Sequence, residues 1–178
     1  MVGRFRLGTR SLAGVLLCVV LGSIGCGYRA AYGGAEARRY QVVAGHYATS
    51  SFEAVQAAVG GVRSELGAAE ALGSGFPRVV VEVLRVDERS IGVGSTSNGV
   101  PLARGSEIVV VGRAQVFESE SATASSDSGD ISRAAQYASG ATPSADANAR
   151  AQAVRDAARA VGKALGRAVL GLPVPAEG

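Results

Sequence analysis

Apolar residues recur at helical spacing in two parts of the chain, and the first part has a recognisable start. Its apolar residues follow one another at intervals of three and four residues in turn, which places them on one side of a helix. Ser50 stands three residues before Glu53, the spacing of a capping box, so we expect the helix to begin near Ser51 and to fade from Gly67. The stripe consists of Phe52, Val55, Val59, Val62 and Leu66.

A longer amphipathic helix is predicted towards the end of the chain, from Ala147 onward. Its basic residues lie mostly away from the apolar stripe and towards the C-terminal end, where the helix dipole favours cations. Pro143 and Ser144 punctuate the chain before this helix, and Gly171 and Pro173 end it. The stripe consists of Ala151, Val154, Ala158, Val161, Leu165 and Val169.

Three segments carry the apolar pattern of β-strands. The first, Tyr40–Tyr47, alternates weakly, whereas Arg78–Glu88 is rich in β-branched residues on both faces, which is typical of a central strand. Glu107–Glu118 has the same character, so we expect these two strands to be antiparallel neighbours. The glycine-rich stretch between them, Ile91–Gly105, is either a connection or the two ends of a long hairpin.

The remaining segments complete a single domain. Ser119–Ser128 has almost nothing to bury, so we expect a flexible Ser/Ala-rich loop over about residues 119–130. Ile131–Ser139 is a candidate for a short edge strand. The predicted fold class is α+β, a two-layer sandwich of two helices on a mostly antiparallel sheet of three to four strands, spanning residues 40–171 before a tail at 172–178. The pattern does not decide whether the helices share a face of the sheet.

The first 25 residues have the three parts of a secretion signal. Three arginines, Arg4, Arg6 and Arg10, precede an apolar run from Leu12 to Ile24, and small residues follow at the cleavage site. The run is shorter than the roughly 20 residues that span a bilayer, which argues against a permanent transmembrane helix.

The cleavage site leads directly into Cys26, in the pattern of a lipobox. We expect the mature chain to begin at Cys26, to carry lipid on its sulfur, and to continue as a tether over residues 26–39. An ordinary cleaved signal and a retained anchor are the alternatives. Cys18 leaves with the signal, so no disulfide can form in the lipidated chain.

Removing the signal changes the charge balance. The full chain has 18 basic and 15 acidic side chains, and three of the arginines lie in the signal, so the mature chain has 15 of each. Binding to nucleic acid normally needs a basic excess that neutralises phosphates. We therefore expect no nucleic-acid partner.

Residues for catalysis or metal binding are sparse, and we expect no enzyme, no cofactor and no metal site. His46 is the one histidine that could act as a base, and no serine lies in a Gly-x-Ser-x-Gly elbow. Asp127 and Asp130 lack the alternating oxygen ligands of a calcium loop. Gly92 and Gly94 are better explained by hairpin turns than by a phosphate loop.

The residues after the cleavage site, Cys26-Gly27-Tyr28-Arg29, resemble the Cys-Gly-(Tyr/Phe) start common in the LPS-assembly lipoprotein family, LptE. The predicted order of elements is also similar to that family's fold, in which two helices pack on a four-stranded sheet. Gly27, in place of an aspartate after the lipidated cysteine, fits sorting to the outer membrane.

The resemblance implies a non-catalytic protein held by its lipid on the periplasmic side of the outer membrane. Such lipoproteins sit inside the translocon barrel LptD, plug it, assist its assembly and contact LPS. An accessory or scaffold lipoprotein of another envelope or export complex is the alternative. The candidates for contact with LPS phosphates lie on or beside the central hairpin, and they are Arg85, Arg89, Arg104 and Arg113.

Overall fold

A computed structural model describes residues 38–45, 51–95, 98, 101–120, 123–138 and 142–176, with the backbone alone described for 92–95 and 101–104. All of these residues belong to one compact unit, Ala37–Gly178. Cys26, His46, Ser50 and the predicted signal lie outside the described residues. No helix within the described ranges is both long and apolar enough to cross a membrane.

Two helices and one mixed sheet of five strands make up this unit, which confirms the α+β prediction with one short strand more than expected. β1 runs parallel to β2, and β3 is antiparallel to β2. The other edge of β3 pairs with both β4 and β5, each antiparallel to it. The elements are β1 (Gln41–Ala44), α1 (Phe52–Ala68), β2 (Arg78–Ser95), β3 (Pro101–Phe117), β4 (Ser126–Asp127), β5 (Ile131–Ala138) and α2 (Pro143–Val169).

The central hairpin is longer than its two apolar segments. Most of the glycine-rich stretch continues the strands, and Ile91 pairs with Gly105, so the long-hairpin alternative is the one observed. A β-bulge interrupts the register between Val83 and Arg85, which leaves Leu84 as the extra residue on β2.

Both helices cover the same face of the sheet, a point the sequence left open. Val79, Val81 and Val83 point towards the helices and are at most 1% exposed, whereas the alternate residues Val80 and Glu82 are half-buried. α1 packs over β1 and β2, and α2 packs over β3 and β5. One apolar core therefore lies between the layers.

Small residues bring the two helices very close together. A Cβ atom added at Gly162 of α2 would lie 2.0 Å from the carbonyl oxygen of Ala58 on α1, and one added at Gly61 would lie 2.5 Å from the carbonyl oxygen of Arg159. The helix–helix contact is thus made by backbone against backbone, which only glycine permits at these two positions.

The first helix begins next to Ser51, as predicted, although its cap differs, and the second helix begins earlier than predicted. The hydroxyl of Ser51 accepts from the N–H of Ala54 at 3.3 Å, so Ser51 is the N-cap and the capping box from Ser50 to Glu53 is wrong. In α2 the hydroxyl of Thr142 is the cap, and the helix starts at Pro143, four residues earlier than predicted. Proline is well tolerated there because the first helical N–H has no partner within the helix.

The Ser/Ala-rich segment pairs with the sheet in its second half. The N–H of Ser125 donates to the carbonyl of Val116 at 2.7 Å, and the N–H of Ser128 donates to that of Ala114 at 3.0 Å. These bonds place β4 beside Gln115 and Val116, near the C-terminal end of β3. The candidate strand after it is confirmed as β5, which pairs with β3 from Gly105 to Gly112 without a break.

Candidate functional site

The sheet face that points away from the helices is the candidate site, and we call it the open face. In β3 the even-numbered residues from Ile108 to Val116 face the helices, so the odd-numbered residues face the other way. No element within the described ranges packs on this face. It is formed chiefly by Val80, Glu82, Arg85, Asp87, Arg89, Glu107, Val109, Val111, Arg113 and Gln115.

Three of the four arginines predicted from the sequence lie on the open face. Arg85 is cross-strand from Val111, Arg89 from Glu107, and Arg113 from Glu82. The backbone of Arg104 belongs to β3, but its side chain lies outside the described residues. Plain alternation from the buried Val83 would turn Arg85 and Arg89 towards the helices, so it is the β-bulge at Leu84 that brings them to the same surface as Arg113.

Each of these three arginines has an acidic neighbour. The Nε atom of Arg85 lies 3.1 Å from a carboxylate oxygen of Asp87, and both side chains are well exposed. Arg89 forms an ion pair with Glu107. Glu107 is the one buried charged residue among those described, so the side chain of Arg89 is its compensating cation.

Arg113 is the most firmly held of the three. Its Nη2 atom lies 2.6 Å from Asp130, and its Nε atom lies 3.7 Å from Asp127. The hydrogen bond with Asp130, and then the charges of both aspartates, raise the pKa of Arg113. A side-chain hydrogen bond from Gln115, followed by one from the N–H of Gly129, lowers the pKa of Asp127.

A hollow of about 330 Å³ opens on this face beside the β-bulge. Val111 forms an apolar part of its lining, and the extra residue Leu84 forms another. Arg85, Asp130 and Ser132 supply the polar part. Such a lining suits an apolar group that carries a polar or charged end, rather than a bare ion.

A second polar cluster, which is not among the residues predicted from the sequence, lies on the helix side of the sheet. Glu88 accepts from the hydroxyl of Tyr137, and its other oxygen lies 2.7 Å from Nε of Arg150. These two hydrogen bonds lower the pKa of Glu88, and the bond to Glu88 raises the pKa of Tyr137. Strand alternation could have separated Glu88 from Asp87 and Arg89, which face the other way.

The described residues contain no group of three or more His, Cys, Asp and Glu side chains placed to hold a metal ion. Asp127 and Asp130 instead serve Arg113, and Asp127 also accepts from the N–H of Gly129 at 2.7 Å. Gly92 and Gly94 lie within β2 rather than at the start of a helix.

Neither family models nor curated proteins match this chain. Among solved structures it is similar to a protein of Caulobacter crescentus described as a lipoprotein, with a TM-score of 0.50 and 12% identity over 74% of this chain and 88% of that one. For a minor lipoprotein of Acinetobacter baumannii the TM-score is 0.47 and the identity is 9%, over 75% of this chain and 93% of that one. For the rare lipoprotein B of Shewanella oneidensis the TM-score is 0.42 and the identity is 10%, over 75% of this chain and 92% of that one.

At these identities the likeness concerns the fold alone. The arrangement of two helices on one face of a sheet is therefore one that a bacterial protein described as a lipoprotein shares.

Proposed function

We propose that this protein is a lipid-anchored, non-catalytic component of the outer-membrane LPS translocon, which plugs the barrel LptD, assists its assembly and contacts LPS. The proposal rests on two features that occur together: a lipobox at Cys26, and after it a domain with the element order that the LptE family shares. The fold likeness to a Caulobacter protein described as a lipoprotein supports it.

The open face supplies groups for contact with LPS. Arg85 is 68% exposed and engages Asp87 through Nε, which leaves its two terminal nitrogens for a phosphate. Arg113 is only 37% exposed and already bound to two aspartates. Arg85, beside the partly apolar hollow, is therefore the best placed of the described arginines to meet a lipid phosphate.

The partner is tested by extracting the lipidated chain in mild detergent and identifying what co-purifies. The expected result is co-purification of LptD, together with mass-spectrometric detection of lipid on Cys26. A Cys26→Ser chain, which cannot be lipidated, is the matched control and should carry no lipid at residue 26. Recovery of an inner-membrane transporter in place of the barrel would favour an accessory lipoprotein of another complex.

LPS contact is tested by reversing the charge of Arg85. Arg85→Glu should weaken LPS binding about tenfold, because one charge-assisted hydrogen bond contributes about 1.5 kcal/mol. Arg159→Glu is the control, since it makes the same charge change on the exposed side of α2. Arg89 is unsuitable for this test because its loss would leave the buried Glu107 without a cation. Unchanged binding by Arg85→Glu would remove Arg85 from the LPS contact.

A further inference from the structure

Several stretches of strand edge have no neighbouring strand in the described residues, and those of β1 and β2 carry features that hinder the pairing of another strand. At β1, Nη2 of Arg63 donates to the carbonyl of Val42 at 3.0 Å. Beyond the end of β1, the edge of β2 carries the bulge at Leu84 and then a run of charged residues. Charges, bulges and side-chain caps are the devices by which proteins prevent another strand from adding to an edge.

The register of β3 shows which backbone groups of β5 point outward. The N–H of Ala114 donates to the hydroxyl of Ser128, and its carbonyl accepts from the N–H of Ser128, on the side where β4 and β5 lie. Backbone groups alternate sides along a strand, so Ile108 also faces β5 and its partner Ala135 faces back. The outward-pointing residues of β5 are therefore Ser132, Ala134, Gln136 and Ala138.

The start of this outer edge is covered and the rest is not. Arg133 donates to the carbonyl of Ser132 and to that of Pro175 in the C-terminal tail, each at 2.6 Å. From Ala134 to Ala138 the edge has no charge, no proline and no break in register, and its outward-pointing residues are all exposed. Within the described part of the chain, this stretch therefore lacks the charges, bulges and side-chain caps found along the edges of β1 and β2.

We propose that a second copy of this chain adds to this edge, pairing β5 with β5 in antiparallel fashion about a two-fold axis at Gln136. The outward-pointing groups are symmetric about that residue. Ala134 faces the partner's Ala138, Gln136 faces its own counterpart, and about six backbone hydrogen bonds form. The pairing joins the two sheets into one and goes beyond the proposed function, on which it does not depend.

The side chains at this junction are self-complementary. Small alanines meet across the axis, and the two Gln136 amides each supply both a donor and an acceptor to the other. The helices leave room as well. Because α2 packs over β3 and β5, a strand spacing of about 4.8 Å places the two α2 helices roughly 10 Å apart, an ordinary distance for packed helices.

A charge swap at the axis tests the proposal, using the full chain in mild detergent and sedimentation velocity over a range of concentrations. The unaltered chain should show a concentration-dependent dimer. Gln136→Lys alone and Gln136→Glu alone should each weaken it about tenfold, since like charges then face each other. An equimolar mixture should restore association. Gln56→Lys, at an exposed position of α1, is the control and should dimerise like the unaltered chain.

Cysteine cross-linking tests the register independently. Facing residues in a hydrogen-bonded antiparallel pair have Cα atoms about 5.5 Å apart, which allows a disulfide. Gln136→Cys should therefore cross-link to itself beyond the level of the unaltered chain, which corrects for the native cysteines. Ala134→Cys should cross-link with Ala138→Cys more than with itself.

Three outcomes overturn the proposal: a monomer at every concentration, no excess cross-linking at residue 136, or a Lys/Glu mixture that associates no better than either variant alone. An edge occupied by a strand of a different protein would give the last outcome. Failure of the translocon proposal would leave these results unchanged, because they require neither the barrel nor LPS.

Discussion

At the scale of single residues, two adjacent glycines of α1 have opposite surroundings. A Cβ atom at Gly60 would meet nothing within 4 Å, whereas one at Gly61 would lie 2.5 Å from the carbonyl oxygen of Arg159. Gly60→Ala should therefore raise the free energy of unfolding by up to about 1 kcal/mol through helix propensity. Gly61→Ala should lower it by about 1–3 kcal/mol, because the helices must move apart.

Urea unfolding of the two variants checks this contrast. The pair is its own control, since the substitution, the helix and the composition are the same and only the facing surface differs. Two variants that shift the midpoint in the same direction would contradict the close approach of the helices at Gly61.

Residue patterns in the sequence predict part of the candidate site. Alternation within the hairpin assigned Arg85 and Arg113 to strands that the structure places side by side. The alternation does not predict which acidic residues form ion pairs with these two arginines. The ion pair of Arg113 with Asp130 spans 17 residues and depends on how β5 aligns with β3, which no local pattern encodes.

At the scale of elements, the cluster of Glu88, Tyr137 and Arg150 ties β2, β5 and α2 together. Glu88 has a pKa lowered from 4.5, so its contribution to stability is present above pH 4.5 and is lost as the pH falls through the folded pKa. Tyr137 has a pKa raised from 10.0, so its contribution is present below that value and is lost as the pH rises through the folded pKa.

Tyr137→Phe should accordingly lower the free energy of unfolding most at pH values between the folded pKa of Glu88 and the folded pKa of Tyr137. The expected loss is less than about 1 kcal/mol, because the cluster is partly exposed and screened. Unfolding of both chains, measured from about pH 3 to about pH 11, should show the difference shrinking at each end. A difference that stays constant with pH would mean that the hydroxyl contributes through packing rather than through Glu88.

The elements themselves were largely predictable, and their ends were not. Helical spacing found both helices because one apolar stripe of each is buried, and β-branched runs found the central hairpin. The hairpin's glycine-rich end pairs because its partner strand is already aligned, which local propensity does not reveal. Pro143 predicts a boundary before the helix, but its missing N–H is harmless at the first position of a helix, where the structure places it.

At the scale of the whole molecule, the arrangement of layers depended on information that the pattern lacked. Val80, Val109 and Val111 put apolar residues on the face opposite the helices, so hydrophobicity alone allowed a helix on either side. The mixed character of the open face, apolar at the hollow and ionic around it, distinguishes it from the core only after the strands are assembled.

The compact unit Ala37–Gly178 should fold without the residues before it. The buried apolar residues among those described lie from Tyr40 to Leu165, within this unit. A chain that begins at Ala37 should therefore unfold in urea with a free energy within about 0.5 kcal/mol of the full-length Cys26→Ser chain. The slope with denaturant should also match, because that slope follows the surface exposed on unfolding. A shortened chain with a lower free energy and a smaller slope would show that the first 36 residues contribute to the core, and that they act as more than a signal and a tether.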